Sequence, residues 1–113
     1  MSELTNRLRA YGADMDGAMA RFIQDENLYA KCFRMFLADP SFAELGDALS
    51  KKDYTAAFNA AHTLKGVAGN LGLTPLYNTV CDMVEPLRRQ DYSHLDAQYQ
   101  AVLDAKDAVE KLK

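Results

Sequence analysis

The feature that most constrains this chain is the spacing of a set of apolar residues between Tyr54 and Leu71, four of which are alanines. At about 100° per residue around a helix, these residues share one face. They are Ala57, Ala60, Ala61, Leu64, Val67, Ala68 and Leu71. His62 lies at the opposite pole, where a residue that merely filled the core would not stand. The segment therefore predicts a helix that carries a histidine on its face away from the core.

The rest of the chain also follows helical spacing, and no segment of the sequence shows the sustained alternation typical of a strand. Helices are predicted at Glu3–Tyr11, Asp16–Phe22, Glu26–Ala38, Pro40 to about Leu49, Tyr54 to about Leu71, from Thr74-Pro75, and after Ser93. Short connections between the four longer helices favour antiparallel neighbours. We expect an all-α, up-down four-helix bundle with one or two short N-terminal helices across one end, forming a single domain over residues 1–113.

Local signals predict how several of these helices begin and end. Ser41 with Glu44, and Ser93 with Asp96, match the spacing of a capping box. Pro86 removes a backbone donor inside its helix, so a kink or an early end is expected there. The stripe predicted to face the core on the third helix comprises Leu28, Cys32, Met35 and Phe36.

Composition excludes several classes of protein. A net charge of −3 leaves no basic stripe for a nucleic acid. Cys32 and Cys81 lack metal-site spacing, so neither zinc nor a disulfide framework is expected, and both thiols are predicted to act as small buried apolar groups. The sequence contains no signal-peptide core and no run of apolar residues that could span a bilayer. We expect a cytoplasmic protein without metal or cofactor.

The face around His62 has a composition that suits phosphoryl chemistry. Lys65, Gly66 and Gly69 follow His62 by three, four and seven residues, and these spacings share one helix face. Each glycine costs a helix about 0.5–1 kcal/mol relative to alanine, so open space on this face is expected to offset that cost. The lysine places positive charge where a phosphoryl group would arrive. This combination suits an imidazole that accepts a phosphoryl group.

The run His62-x-x-Lys65-Gly66-x-Ala68-x-x-Leu71-Gly72 resembles the motif of histidine-containing phosphotransfer (HPt) domains in multistep two-component relays. Ala68 occupies a position at which that family has small residues. Chain length and helix count also match, and these 113 residues contain no kinase or receiver segment, so we expect the stand-alone form.

This resemblance implies that His62 accepts a phosphoryl group from a receiver phospho-aspartate through Nε2 and passes it to another receiver. Lys65 would offset the phosphoryl charge. The Mg²⁺ would belong to the receiver, so the chain would be a phosphocarrier and not an enzyme. Receiver domains of response regulators or hybrid kinases are the implied partners, and a monomer is expected.

Five residues are candidate contacts for such a partner: Phe58, Asn59, Gly66, Gly69 and Asn70. The glycines would keep the approach open, and the asparagines could hydrogen-bond the partner. Phe58 could either anchor the receiver or lean into a neighbouring helix, and the sequence leaves both alternatives open.

Three other functions are alternatives for a helical chain with this histidine. A docking or adaptor module on the same fold, never phosphorylated, would present the same surface. A metal or haem bundle using His62 and His94 is disfavoured, because such sites use inward ligands and often a Glu-x-x-His pair, which is missing from the sequence. A hydrolytic enzyme is disfavoured because the sequence shows no nucleophile–base–acid set.

Overall fold

A computed structural model describes residues 3–113, and within that range every regular element is a helix. The helices are α1 (Glu3–Tyr11), α2 (Met15–Arg21), α3 (Glu26–Leu37), α4 (Ser41–Ser50), α5 (Tyr54–Asn70), α6 (Thr74–Arg88) and α7 (Leu95–Glu110). α5 packs between α4 and α6, and α6 packs on α7. The molecule measures 43 × 21 × 20 Å. The prediction of an all-α helical bundle is therefore confirmed.

Packing on two sides determines which face of α5 remains free. Ala57, Ala61, Leu64 and Ala68 are fully buried in the bundle core. The three alanines among them are small, so the neighbouring helices can approach α5 closely. The opposite face of α5 is left at the surface of the bundle.

The end of α5 is set by Gly72, which has a φ of +71°. The amide of Leu73 donates to the carbonyl of Ala68 at 3.0 Å, and the amide of Gly72 donates to that of Gly69 at 3.1 Å. These two bonds form a Schellman motif, which ends a helix on a left-handed glycine. A side chain at position 72 would also collide with the N-terminal segment, because its Cβ would lie 2.5 Å from the carbonyl oxygen of Asp14.

The N-terminal helices lie across this end of α5, as predicted. Asp14, Arg21 and Tyr29 donate to the carbonyl oxygens of residues 69–72. The Arg21 guanidinium makes two of these bonds at 3.0 Å each, the Tyr29 hydroxyl one at 2.6 Å and the Asp14 amide one at 2.8 Å. The last carbonyls of a helix lack partners within the helix. Side chains and backbone from outside the bundle proper therefore complete the hydrogen bonding of α5.

The prediction of the buried face of α3 is wrong for Leu28 and Met35, which are 41% and 62% exposed, and Cys32 is only half-buried. The face that enters the core comprises Tyr29, Phe33, Phe36 and Leu37. The sequence of α3 offers two apolar stripes offset by one residue. The aromatic stripe buries more area, and its tyrosine hydroxyl finds a buried acceptor, so that stripe packs inward.

Neither predicted capping box forms. Ser93 instead bonds Asp91 through both its amide and its hydroxyl, and α7 begins at Leu95. Ser41 is the first residue of α4, and its amide donates to Asp39 Oδ1 at 2.7 Å. In both places the carboxylate of an aspartate two residues upstream accepts a hydrogen bond from the serine amide in a local turn. This turn competes with the predicted capping box.

Pro86 lies in the last turn of α6, which ends two residues later at Arg88. The amide of Asp91 donates back to the Pro86 carbonyl at 2.9 Å, and Gln90 has a φ of +60°. α6 thus continues through Pro86 and is followed by the left-handed residue Gln90, so the proline does not end the helix at its own position.

Between residues 3 and 113, no helix combines the length and the apolar character needed to cross a lipid bilayer.

Candidate functional site

His62 lies in the middle of α5, and its imidazole is exposed. Its neighbour Ala61 and the following Leu64 are fully buried. Asp53 starts the helix by accepting a hydrogen bond from the amide of Ala56 at 3.1 Å. His62 thus lies on a helix with an N-terminal cap, on the face that helical spacing predicts.

The two glycines beside His62 play different structural roles. No heavy atom of residues 3–113 outside the local helix would come within 4 Å of a Cβ atom on Gly66. A Cβ atom on Gly69 would lie 3.1 Å from Cε1 of Tyr77. Open space is therefore present at Gly66, whereas the Tyr77 ring already occupies the space beside Gly69. The expectation of open space is wrong for Gly69, and the reason is close packing of α6.

A polar stripe on α6 faces the His62 side of α5. The stripe consists of Tyr77, Cys81, Glu85 and Arg88, which are spaced by four, four and three residues. Along the two antiparallel helices Tyr77 meets Gly69, Glu85 meets Lys65 and Arg88 meets Phe58. The site is therefore built by two helices, although the motif lies on one.

Phe58 connects the imidazole to this stripe. Its ring centroid lies 5.6 Å from that of His62, with an angle of 31° between the ring planes. The guanidinium carbon of Arg88 lies 5.2 Å from the Phe58 centroid, within the range of a cation–π contact. Phe58 is half-buried against the core, so it leans on α6 and still borders the histidine.

Lys65 is paired in this structure. Its Nζ lies 4.0 Å from Oε1 of Glu85, and its side chain is 26% exposed. The other carboxylate oxygen of Glu85 lies 3.5 Å from Nε of Arg88. Two cations and one carboxylate therefore form a connected group on the side of α5 that faces α6, and Arg88 links this group to His62 through Phe58.

Asn59 and Asn70 are both exposed. Asn59 lines a groove of about 420 Å³ between α4 and α5, together with Thr63. The backbone carbonyl of Asn70 accepts the hydrogen bond from Arg21. The two asparagines thus flank the histidine at opposite ends of the exposed face.

Two further titratable groups are Tyr77, which lies in the polar stripe of α6, and His94, which lies away from the His62 motif. The hydrogen bond between the Tyr77 and Cys81 side chains raises the pKa of the Tyr77 hydroxyl, and the charge of Glu85 adds to this rise. His94 is exposed just before α7. Across residues 3–113, no group of three or more histidine, cysteine, aspartate or glutamate side chains is arranged to hold a metal ion.

Sequence reasoning missed the residues that α6 contributes, namely Tyr77, Glu85 and Arg88. A signal for them was present, since their spacing places them beside the buried stripe of α6 rather than within it. That stripe comprises Leu76, Val80, Met83, Val84 and Leu87.

Comparison with known protein families gives one finding. The family model described as the Hpt domain matches residues 37–112. This range contains α4 to α7 and the whole His62 motif, and it leaves α1, α2 and all but the last residue of α3 outside. No curated protein and no solved structure gives a significant match to the chain.

Proposed function

We propose that this chain, which belongs to the Hpt domain family, receives a phosphoryl group from a receiver phospho-aspartate on Nε2 of His62 and passes it to a second receiver. Membership of the family implies histidine phosphotransfer in two-component signalling. The observation that carries the assignment to His62 is its exposed position on α5 beside the bare surface of Gly66.

The transfer is a single displacement in each direction. The lone pair of Nε2, in the neutral imidazole tautomer that carries its proton on Nδ1, attacks phosphorus. The bond between phosphorus and the aspartate oxygen breaks, and its electron pair leaves with the carboxylate. The second transfer reverses these steps on another receiver. Positioning and charge stabilisation dominate such reactions, so the receiver supplies the Mg²⁺ and this chain supplies an oriented nucleophile.

Lys65 supports this proposal through its charge. It follows His62 by one helical turn, and its ammonium group can approach the oxygens of a phosphoryl group on Nε2. A lysine is suited to this task because its flexible stem allows the charge to move a few ångströms after the phosphoryl group arrives.

The proposed docking surface consists of Phe58, Asn59, Gly66, Gly69 and Asn70. Gly66 permits close approach of the receiver backbone, and the half-buried Phe58 offers an apolar contact that is already ordered. Gly69 acts indirectly, by admitting the aromatic ring of α6 that completes the surface.

The test is transfer of labelled phosphoryl groups from Mg²⁺-loaded receiver domains to the wild-type protein, to His62→Gln and to His94→Gln. The chain has two histidines, so His94→Gln is the matched control. Acid-labile, alkali-stable label on the wild type and on His94→Gln, but not on His62→Gln, is expected. The melting temperature of His62→Gln should equal that of the wild type because the side chain is exposed.

Receivers that bind the wild-type protein without ever labelling it would contradict the proposal. That result would favour the adaptor function, in which the same surface docks a partner and His62 carries no phosphoryl group.

A further inference from the structure

The charged groups beside His62 form a connected set that the transfer chemistry does not by itself require. Glu85 lies between the two cations, 4.0 Å from Lys65 Nζ through one oxygen and 3.5 Å from Arg88 Nε through the other. Arg88 in turn lies over Phe58, whose ring borders His62. A single carboxylate therefore lies within ion-pair distance of both cations.

A phosphoryl group on His62 would disturb this arrangement. It brings up to two negative charges and three strong acceptor oxygens to a position one turn from Lys65. Glu85 and the phosphoryl group would then compete for the same ammonium group, and their like charges would repel each other. Every contact between Lys65 and Glu85 thus reduces the stabilisation that Lys65 can give to the phosphorylated state.

Partial exposure sets the size of this competition. The side chains of Lys65, Glu85 and Arg88 are 26%, 47% and 50% exposed. Ion pairs at such positions are weakened by water, so they can exchange partners readily. A buried pair would hold Lys65 permanently, whereas this one can release it.

We propose that Glu85 is a positioning residue that keeps the phosphohistidine transferable, by competing with the phosphoryl group for Lys65 and Arg88. With Glu85 present, phosphorylated His62 is stabilised enough to accept the phosphoryl group from one receiver and still release it to another. This inference rests on the proposed function, since it concerns the energy of the phosphorylated state of the same histidine.

The test is the equilibrium distribution of the phosphoryl group between His62 and a receiver domain. A Mg²⁺-loaded receiver that labels the wild type is phosphorylated with acetyl phosphate, freed of excess donor and mixed with each variant. Glu85→Gln keeps the shape of the side chain and removes its charge. We expect the equilibrium to shift toward phosphohistidine by about two- to fivefold, the size typical of a partly exposed ion pair. The shift should shrink in the Lys65→Met background, as a double-mutant cycle measures.

Glu110→Gln is the matched control, because Glu110 also pairs two cations, Lys106 at 3.6 Å and Lys113 at 3.2 Å. It lies on α7, and its substitution changes the net charge equally. The inference is overturned if Glu85→Gln leaves the equilibrium unchanged or moves it toward the receiver. It is also overturned if Glu110→Gln gives the same shift, or if the shift persists undiminished without Lys65. Failure of the proposed function is distinct, since the wild type would then take no label from any receiver.

Discussion

Replacing Gly66 with alanine should make the protein more stable. A glycine inside a helix costs about 0.5–1 kcal/mol relative to alanine, because its unfolded chain has more freedom to lose. A Cβ atom at this position would meet no atom of residues 3–113 within 4 Å outside the local helix, so no steric cost offsets the gain. We therefore expect the free energy of unfolding to rise by about 0.5–1 kcal/mol, and the melting temperature by roughly 2–6 °C.

Gly69→Ala is the matched control for this prediction. It has the same helix, the same backbone change and almost the same intrinsic gain, but its Cβ would lie 3.1 Å from the Tyr77 ring. The ring must shift, so the stabilisation should be smaller than at Gly66 or reversed. Urea denaturation of the two variants, followed by circular dichroism, measures the difference. A Gly66→Ala variant no more stable than the wild type, or less stable than Gly69→Ala, would refute the reasoning.

The same position should show opposite effects on stability and on transfer. Gly66→Leu keeps the helix but places a branched side chain on the face that a receiver approaches. Initial rates of label transfer from a receiver should fall although the helical signal is retained. Normal rates in this variant would mean that the receiver docks elsewhere.

Three further predictions concern the end of α5. Tyr29→Phe should lower the free energy of unfolding by about 1–3 kcal/mol in urea denaturation, because the buried carbonyl of Leu71 loses its donor. Burial raises the pKa of Tyr29 above its usual 10.0, so the unfolded chain ionises first. The contribution of Tyr29 to the free energy of unfolding is complete below pH 10.0 and is lost as the pH rises above that value. The decrease of the free energy of unfolding with pH, measured by urea denaturation, should therefore be shallower in Tyr29→Phe. Gly72→Ala should lower the free energy of unfolding by at least about 1–2 kcal/mol for the left-handed backbone alone, and crowding against Asp14 should add to this loss. An unchanged midpoint in thermal melting would contradict this prediction.

The fold was predictable where a helix carries one unambiguous apolar stripe. α5 has alanines and leucine on one face and mainly polar residues and glycines on the other, so both its extent and the exposure of His62 follow from spacing. The glycine after α5 is also a recognisable end signal, because glycine adopts a positive φ without the steric cost that other residues meet there.

Prediction failed where two local solutions competed. On α3 two apolar stripes were available, and only tertiary packing decides that Tyr29 and Phe33 enter the core while Leu28 and Met35 remain outside. At Ser93 the nearby Asp91 offered a shorter-range partner than the cap. Neither choice can be made from spacing alone, because both alternatives satisfy it.

The candidate site was half predictable for a related reason. His62, Lys65 and Gly66 lie on one helix, where residue spacing translates directly into geometry. Glu85 and Arg88 come from α6, and their place beside the histidine depends on how two helices align. That alignment is fixed by contacts between residues distant in sequence, such as Arg88 over the Phe58 ring.

The hydrogen bonds at the end of α5 have a consequence for where this protein can be cut. The family pattern begins at residue 37, yet the donors that satisfy the last carbonyls of the histidine helix, Asp14, Arg21 and Tyr29, all precede it. A fragment that starts at residue 37 would keep every residue of the phosphotransfer motif and lose the hydrogen bonds that these three residues donate to the end of α5. The hydrogen bonding at the end of the histidine helix is therefore completed by residues outside the segment by which the family is recognised.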